Sequence, residues 1–203
     1  MSRRSDAIER FTVEAEASGL EIEVQQYPGG TRTAADAADA VGCHVDQIVK
    51  SLVFMADVRP VLVLCSGGRR VDEERLASYL GTEIRIAGAS EVRAATGFAI
   101  GGTPPLGHTV PLRTVVDPHL MDFDEVWAAA GTPDSVFPVK PKDLVKAKAW
   151  TGGDLASPFG MGALVAHPDV QAACRRLMGG GGAARSSGER CGGDGGDGVG
   201  DGA

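Results

Sequence analysis

The chain has 203 residues, enough for one domain of ordinary size with an appendage, and about 150 residues already support a core without disulfides or metals. A formal charge of −7, from 20 basic and 27 acidic side chains, excludes a protein that coats nucleic acid through a broad basic face, so any such contact must be local. Twelve of the 29 glycines fall in the last 25 residues, which sets the C-terminus apart from the rest.

In chain order, Ile8, Phe11 and Ala15 recur at spacings of three and four, predicting a helix over 6–17 that ends near Gly19. Leu20, Ile22 and Val24 alternate with polar residues and predict a half-buried strand. Thr33 with Asp36 is an N-cap pattern for a short helix over 34–41, closed at Gly42. IVKSLVFM and PVLVLC read as two strands joined by a short turn. A helix over 72–80 follows, with acidic residues in its first turn where they suit the helix dipole. Residues 83–86 predict a short strand, and 90–95 a helix capped by Ser90 and stopped by Gly97. Strands are expected at 113–116 and 135–139, and Pro141 opens a last helix, PKDLVKAKAW. This order lacks strict strand and helix alternation, so the expected class is α+β: one mixed sheet surrounded by helices.

Domain boundaries follow from composition. Residues 1–150 form the folded domain, 151–178 an extension with a short helix at 169–177, and 179–203 a glycine-rich tail expected to be disordered. Residues 94–112 carry no charged side chain, but four glycines, three prolines and a histidine exclude a membrane span. The N-terminus has no apolar stretch after its arginines, so no signal peptide is expected. Cys43, Cys65, Cys174 and Cys191 show no CxxC spacing, which points to a reducing cytoplasm and to neither zinc nor disulfides.

Lysine is scarce, and four of the five lie at 140–148. The fifth, Lys50, stands in a strand on the face of Ile48, Leu52 and Phe54, where an unpaired ammonium is costly. Either it protects an edge strand or snorkels to water, or it is a cation at the mouth of a cleft. The segment TGFAIGGTPPLGH, 96–108, is either a rigid turn or a backbone nest that approaches a ligand closely. It is neither a dinucleotide fingerprint nor a P-loop. His44, His108, His119 and His167 have no metal-ligand spacing; of these only His108 borders the glycine segment. Asp117 before Pro118 reads as a turn or cap residue. Lys142, Lys146 and Lys148 form either a solvated helix face or a local basic patch.

Taken together, residues 20–150 resemble the YbaK/prolyl-tRNA synthetase-associated editing domain family. The matching pieces are QIVKSLVF (47–54), VLVLCSGGRRVDEERLASYLG (61–81), TGFAIGGTPPLGH (96–108), TVVDPHL (114–120), and AAGTP with KPKDLVKAKAW at the close. The resemblance implies hydrolysis in trans of the ester joining a wrongly chosen small amino acid to the 3′ end of a transfer RNA, usually the proline tRNA, without a cofactor or metal. It makes Lys50, Gly101 and Gly102 the catalytic candidates. Ser51, Thr103, Pro105, Gly107 and His108 are the substrate-binding candidates, with a GxxxP element at Gly101–Pro105 around the terminal adenosine. Lys142, Lys146 and Lys148 are expected on the acceptor stem, and prolyl-tRNA synthetase is an implied partner. Members acting on cysteine carry a Ser-Gly-Gly stretch and a nearby Asp where this chain has Ala129, Ala130, Gly131 and Val136, which weakens cysteine as the substrate and leaves alanine, 2-aminobutyrate, serine and threonine. The competing expectation is a non-catalytic module that binds tRNA or nucleotide beside a synthetase.

Overall fold

The computed structural model describes residues 3–29, 33–150 and 155–156; the expected helix at 169–177 and the glycine-rich tail lie outside them. Helix α1 (Arg3–Ala17) is followed by β1 (Gln25–Gln26), α2 (Ala34–Val41), β2 (Ile48–Ala56), β3 (Arg59–Ser66), α3 (Glu73–Leu80), β4 (Ile84–Ile86) and α4 (Ala89–Thr96). Then come β5 (Arg113–Val116), β6 (Val126–Ala129), β7 (Ser135–Val139), α5 (Pro141–Trp150) and β8 (Leu155–Ala156). The strands form one mixed sheet in the order β1-β7-β6-β2-β3-β5-β8, with β4 also paired to β2. This is the α+β architecture expected from the sequence. Among the described residues no helix is long and apolar enough to cross a membrane.

Alternation along the central strands divides the core between the two sheet faces. Val49 and Val53 of β2 and Leu62 and Leu64 of β3 join Phe11 and Ala15 of α1, Val92 of α4 and Leu144 and Val145 of α5. Phe54, Val61, Val63 and Cys65 point the other way, against Leu76 of α3. Each fully buried Leu, Val or Phe here contributes about 1.5–3 kcal/mol. Phe11 is fully buried and meets Phe137 of β7 with ring centroids 4.7 Å apart, which fixes α1 across the sheet.

Local signals set the element ends. Thr33 and Asp36 exchange the two hydrogen bonds of a capping box on α2, and Asp72 accepts the Arg75 amide at the start of α3. Helix α4 differs from expectation: it starts at Ala89, and the Glu91 carboxylate accepts the Gly88 amide at 2.9 Å in place of a Ser90 cap. Leu20, Ile22 and Val24 do pack on the core, but no described strand runs beside them, and the ladder is limited to Gln25 and Gln26. Strand β6, VWAA, carries too few residues for alternation to reveal it.

Candidate functional site

Strand β2 has β3 along the whole of one edge, whereas its other edge is shared. β6 runs parallel to it at Ile48 and Val49, and β4 runs antiparallel to it at Phe54, Met55 and Ala56. Residues 50–53 therefore have no strand partner on that side, although the Val53 carbonyl is taken by the Ala87 amide. A cleft of about 390 Å3 fills this gap. Because it occupies the edge of the sheet, both Lys50 and Ser51 line it, although consecutive strand residues point to opposite faces. Ala34 and Ala37 of α2 pack in one cluster with Trp127 and line it, as do Ala87 and Val92. Ile86 and Ile100 are more than half exposed in spite of their apolar side chains, and both border the cleft.

The Lys50 ammonium donates to the Arg69 carbonyl oxygen. Pairing of β2 with β3 puts Lys50 beside Cys65, and the turn after β3 brings Arg69 round to it. That turn is built for close approach: a Cβ on Gly67 would overlap the Val45 carbonyl, and one on Gly68 the Asp46 carboxylate. Ser66 donates its hydroxyl to the Asp46 carbonyl at 2.8 Å and its amide to Asp117 at 3.3 Å. Asp117 also accepts from Arg69 at 3.3 Å and from the His119 amide at 3.0 Å. Asp117 is thus the cap its sequence context suggested, and it also ties down the Arg69 turn.

Desolvation acts to raise the Asp46 carboxyl but is outweighed by hydrogen bonds from His119 and Ser66 and by the charges of His119 and His44, so its pKa sits below the ordinary value. For Cys65, burial pushes the thiol up, opposed by Lys50 and Arg69 and aided by Asp117. A buried, protonated thiol is a poor nucleophile, so Cys65 serves the core although it sits next to Lys50.

The glycine and proline segment reaches the cleft with Ile100, Gly101 and Thr103. Gly101 takes a left-handed φ of 84°, and a Cβ there would make only ordinary contact with Pro133, at 3.7 Å; its amide takes part in no backbone hydrogen bond among the described residues. Gly102 corrects the expectation of a second free donor. Its amide is spent on the Ala99 carbonyl at 3.0 Å, and it is buried against Thr132, where a Cβ would fall 2.7 Å from Thr132 Cα. Thr103 donates its hydroxyl to the Ala99 carbonyl. Ser51 Oγ is buried and has no hydrogen-bond partner.

Of the expected site residues, Lys50, Ser51, Gly101 and Thr103 come together at the cleft, whereas Pro105, Gly107 and His108 do not line it. Gly107 faces α1: a Cβ there would stand 3.4 Å from Phe11 Cα. His108 is half-buried and turns inward to hydrogen-bond the Pro104 carbonyl through Nε2 at 2.8 Å. A carbonyl only accepts, so Nε2 carries the proton. Burial, then the charge of Lys148, then Arg10 lower its pKa to about 3 against the raising effect of the Pro104 bond, and the ring is neutral. Lys142 and Lys146 are exposed on α5, but Lys148 is 3% exposed. Burial brings its pKa down to about 8, against the raising charge of Glu14. Lys148 faces the core and is not part of a solvated basic patch. Sequence reasoning missed Ile86, Ile100 and Trp127 at the cleft: Ile86 and Trp127 belong to no motif, and Ile100, though inside the glycine and proline segment, is an apolar residue with no chemistry of its own. Among the described residues, no group of three or more His, Cys, Asp or Glu side chains is placed to hold a metal ion.

The sequence profile of the aminoacyl-tRNA editing domain matches residues 29–147. The chain belongs to this family. A crystal structure of a candidate trans-editing enzyme for prolyl tRNA synthetase is 42% identical, with a TM-score of 0.69, covering 77% of this chain and 97% of that one. YwhH of Bacillus subtilis (strain 168), an uncharacterized protein, is 28% identical over 134 residues, 64% of this chain and 85% of YwhH. The proline--tRNA ligase of Limosilactobacillus fermentum is 34% identical over 97 residues, 45% of this chain. The matched part is 17% of that ligase, so the kinship is to one editing segment of a much longer protein. The family match spans every residue that lines the cleft.

Proposed function

We propose that this editing domain is an aminoacyl-tRNA deacylase that acts in trans on proline tRNA carrying a small non-cognate amino acid. The observation that carries the reading is the convergence of Lys50 and Gly101 on one apolar-walled cleft at the open edge of β2. An aminoacyl ester is already activated, so water suffices as the nucleophile and no triad is required. Water oxygen adds to the ester carbonyl, the bond to the ribose oxygen breaks, and the ribose takes up a proton, releasing the amino acid and a tRNA with a free 3′ end. Donors aimed at the developing oxyanion stabilise the transition state more than the ester. Gly101 N–H serves that role, and Lys50, held by the Arg69 carbonyl, orients the ester or its adjacent phosphate.

Ala129 and Val136 stand on the cleft wall where cysteine-directed relatives carry polar groups. This supports alanine, 2-aminobutyrate, serine or threonine over cysteine. A cleft that admits small residues and excludes larger ones is the second sieve in editing, needed where side chains differ by a methylene. The terminal adenosine would lie against Ile86 and Ile100 at the mouth. Confining recognition to the single-stranded 3′ end, with Lys142 and Lys146 on the acceptor stem, reconciles tRNA binding with a charge of −7.

The second reading is a module that binds the tRNA end without turnover, and the engagement of Lys50 with Arg69 favours it in that one of the three ammonium donors is already taken up. Deacylation assays on proline tRNA charged with each of the four amino acids separate the two readings: turnover on at least one supports the deacylase, and binding without turnover supports the module.

A further inference from the structure

Helix α1 lies outside the segment matched by the family, yet it touches both loops that flank the cleft. The loop from Gly97 to Gly107 has its neck on α1. Arg10 donates from Nη2 to the Gly97 carbonyl at 2.9 Å, and its guanidinium lies 4.0 Å from the Phe98 ring centroid. Gly107, at φ 76°, packs on Phe11. Between these points the loop is closed on itself by the bond from the Thr109 amide to the Thr96 carbonyl, at 3.2 Å, and by the bond of His108 to Pro104. The edge of His108 meets Phe98, with centroids 6.4 Å apart, so Arg10, Phe98, His108 and Pro104 form one continuous chain of contacts. The second loop touches α1 at Gly131, whose φ is 108° and where a Cβ would fall 2.8 Å from the Ala7 carbonyl oxygen.

We infer that α1 is a positioning element of the hydrolytic site and that Arg10 is its principal residue, holding the neck of the glycine and proline loop so that the Gly101 amide is fixed over the cleft. The inference rests on the deacylase reading for its catalytic consequence but not for its structural one. Gly97 and Phe98, which Arg10 contacts, do not line the cleft themselves, so it acts through them. A planar guanidinium both stacks and donates, whereas a lysine only supplies a point charge. Displacement of a reacting group by about 1 Å can lower a rate by about 100-fold, so loss of the clamp is felt in kcat.

The test uses the full chain, with Arg10→Ala and Arg10→Lys. Amide hydrogen exchange is followed in the peptide covering residues 96–108 and, as a reference, in β2 and β3. Deacylation kinetics and thermal unfolding are measured on the same samples. In Arg10→Ala, exchange in the loop is expected to quicken about tenfold with the reference strands unchanged. The value of kcat should fall about tenfold or more with KM within about twofold, and Arg10→Lys should lie between wild type and Arg10→Ala. Unchanged exchange in the loop overturns the inference, as does faster exchange with unaltered kcat. A loss of kcat that only follows general loosening of β2 and β3 assigns Arg10 to stability alone and also overturns it. If the wild type turns over no substrate, the deacylase reading fails, and the exchange experiment alone still decides whether α1 holds the loop.

Discussion

Gly102 and Thr132 meet backbone to backbone: a Cβ on Gly102 would stand 2.7 Å from both Thr132 Cα and its carbonyl carbon. Gly101, one residue earlier, would bring a Cβ only into ordinary contact with Pro133, at 3.7 Å, and has a left-handed φ of 84°. The two glycines are therefore required for different reasons, and substitution separates them. Gly102→Ala forces the two loops apart and is expected to destabilise the fold by about 1–3 kcal/mol, as overpacking does. Gly101→Ala meets no clash but is strained by about 1–2 kcal/mol in the left-handed region. Gly101→Asn tolerates that region better and should retain more activity than Gly101→Ala. Denaturant unfolding and deacylation rates for the three variants check this; equal behaviour of Gly101→Asn and Gly101→Ala would contradict it.

Ser51 Oγ is buried without a partner, and an unsatisfied buried hydroxyl carries a penalty of about 1–3 kcal/mol. Ser51→Ala is accordingly expected to leave stability unchanged or raise it by about 1 kcal/mol, measured by denaturant unfolding. Because Ser51 lines the cleft, the same variant should alter the ratio of kcat/KM for seryl and threonyl esters to that for alanyl esters. An unaltered ratio removes Ser51 from the substrate contacts.

His108 has a pKa lowered to about 3 from 6.5 by burial and by the charges of Lys148 and Arg10. Between those values the unfolded chain binds a proton that the folded one refuses, so stability falls as pH drops from about 6.5 toward 3. The slope from one such group is at most about 1.4 kcal/mol per pH unit. Glu91, whose pKa is lowered to about 2 by the hydrogen bond from Arg85 and by the Gly88 amide, loses its contribution only below about pH 4.5. Urea unfolding at pH 7, 6 and 5 therefore stays above the Glu91 range and samples the fall due to His108. His108→Gln, which keeps a donor for Pro104, should flatten that range; a slope identical to wild type would contradict the assignment.

On α5, Lys142 and Lys146 are exposed and four residues apart, and Lys146 already pairs with Asp143 at 3.0 Å. Each phosphate contact contributes about 0.7–0.9 to the slope of log affinity against log salt. Lys142→Glu with Lys146→Glu should reduce the slope of tRNA binding by about one to two, while Lys148→Met leaves it unaltered because Lys148 is buried. A double variant with the wild-type slope would make this helix face a solvated surface only.

Much of this was readable in the chain. Apolar runs joined by a short turn identified β2 and β3, strand periodicity placed Lys50 with Leu52 and Phe54, the cap at Thr33 marked α2, and the acidic first turn at 72–74 marked α3. The cleft itself was not readable, because it arises from two strands sharing one edge of β2. Both are short, and one of them, VWAA, carries no periodic signal. The burial of Lys148 was within reach: it follows Leu144 by four residues and Val145 by three, which puts it on their helical face and not on that of Lys142 and Lys146. The clamp by Arg10 depends on a contact between segments nearly 90 residues apart, and local sequence pattern carries no trace of it.

The most direct measurement is deacylation of proline tRNA carrying alanine, 2-aminobutyrate, serine or threonine by the wild type and by Lys50→Ala, with folding of both verified by circular dichroism. Turnover of at least one ester by the wild type, reduced about 100-fold or more in Lys50→Ala, is the expected result, in line with the loss of an electrostatic group from a hydrolytic site. Wild-type activity in Lys50→Ala, or hydrolysis of none of the four esters by the wild type, would contradict the account.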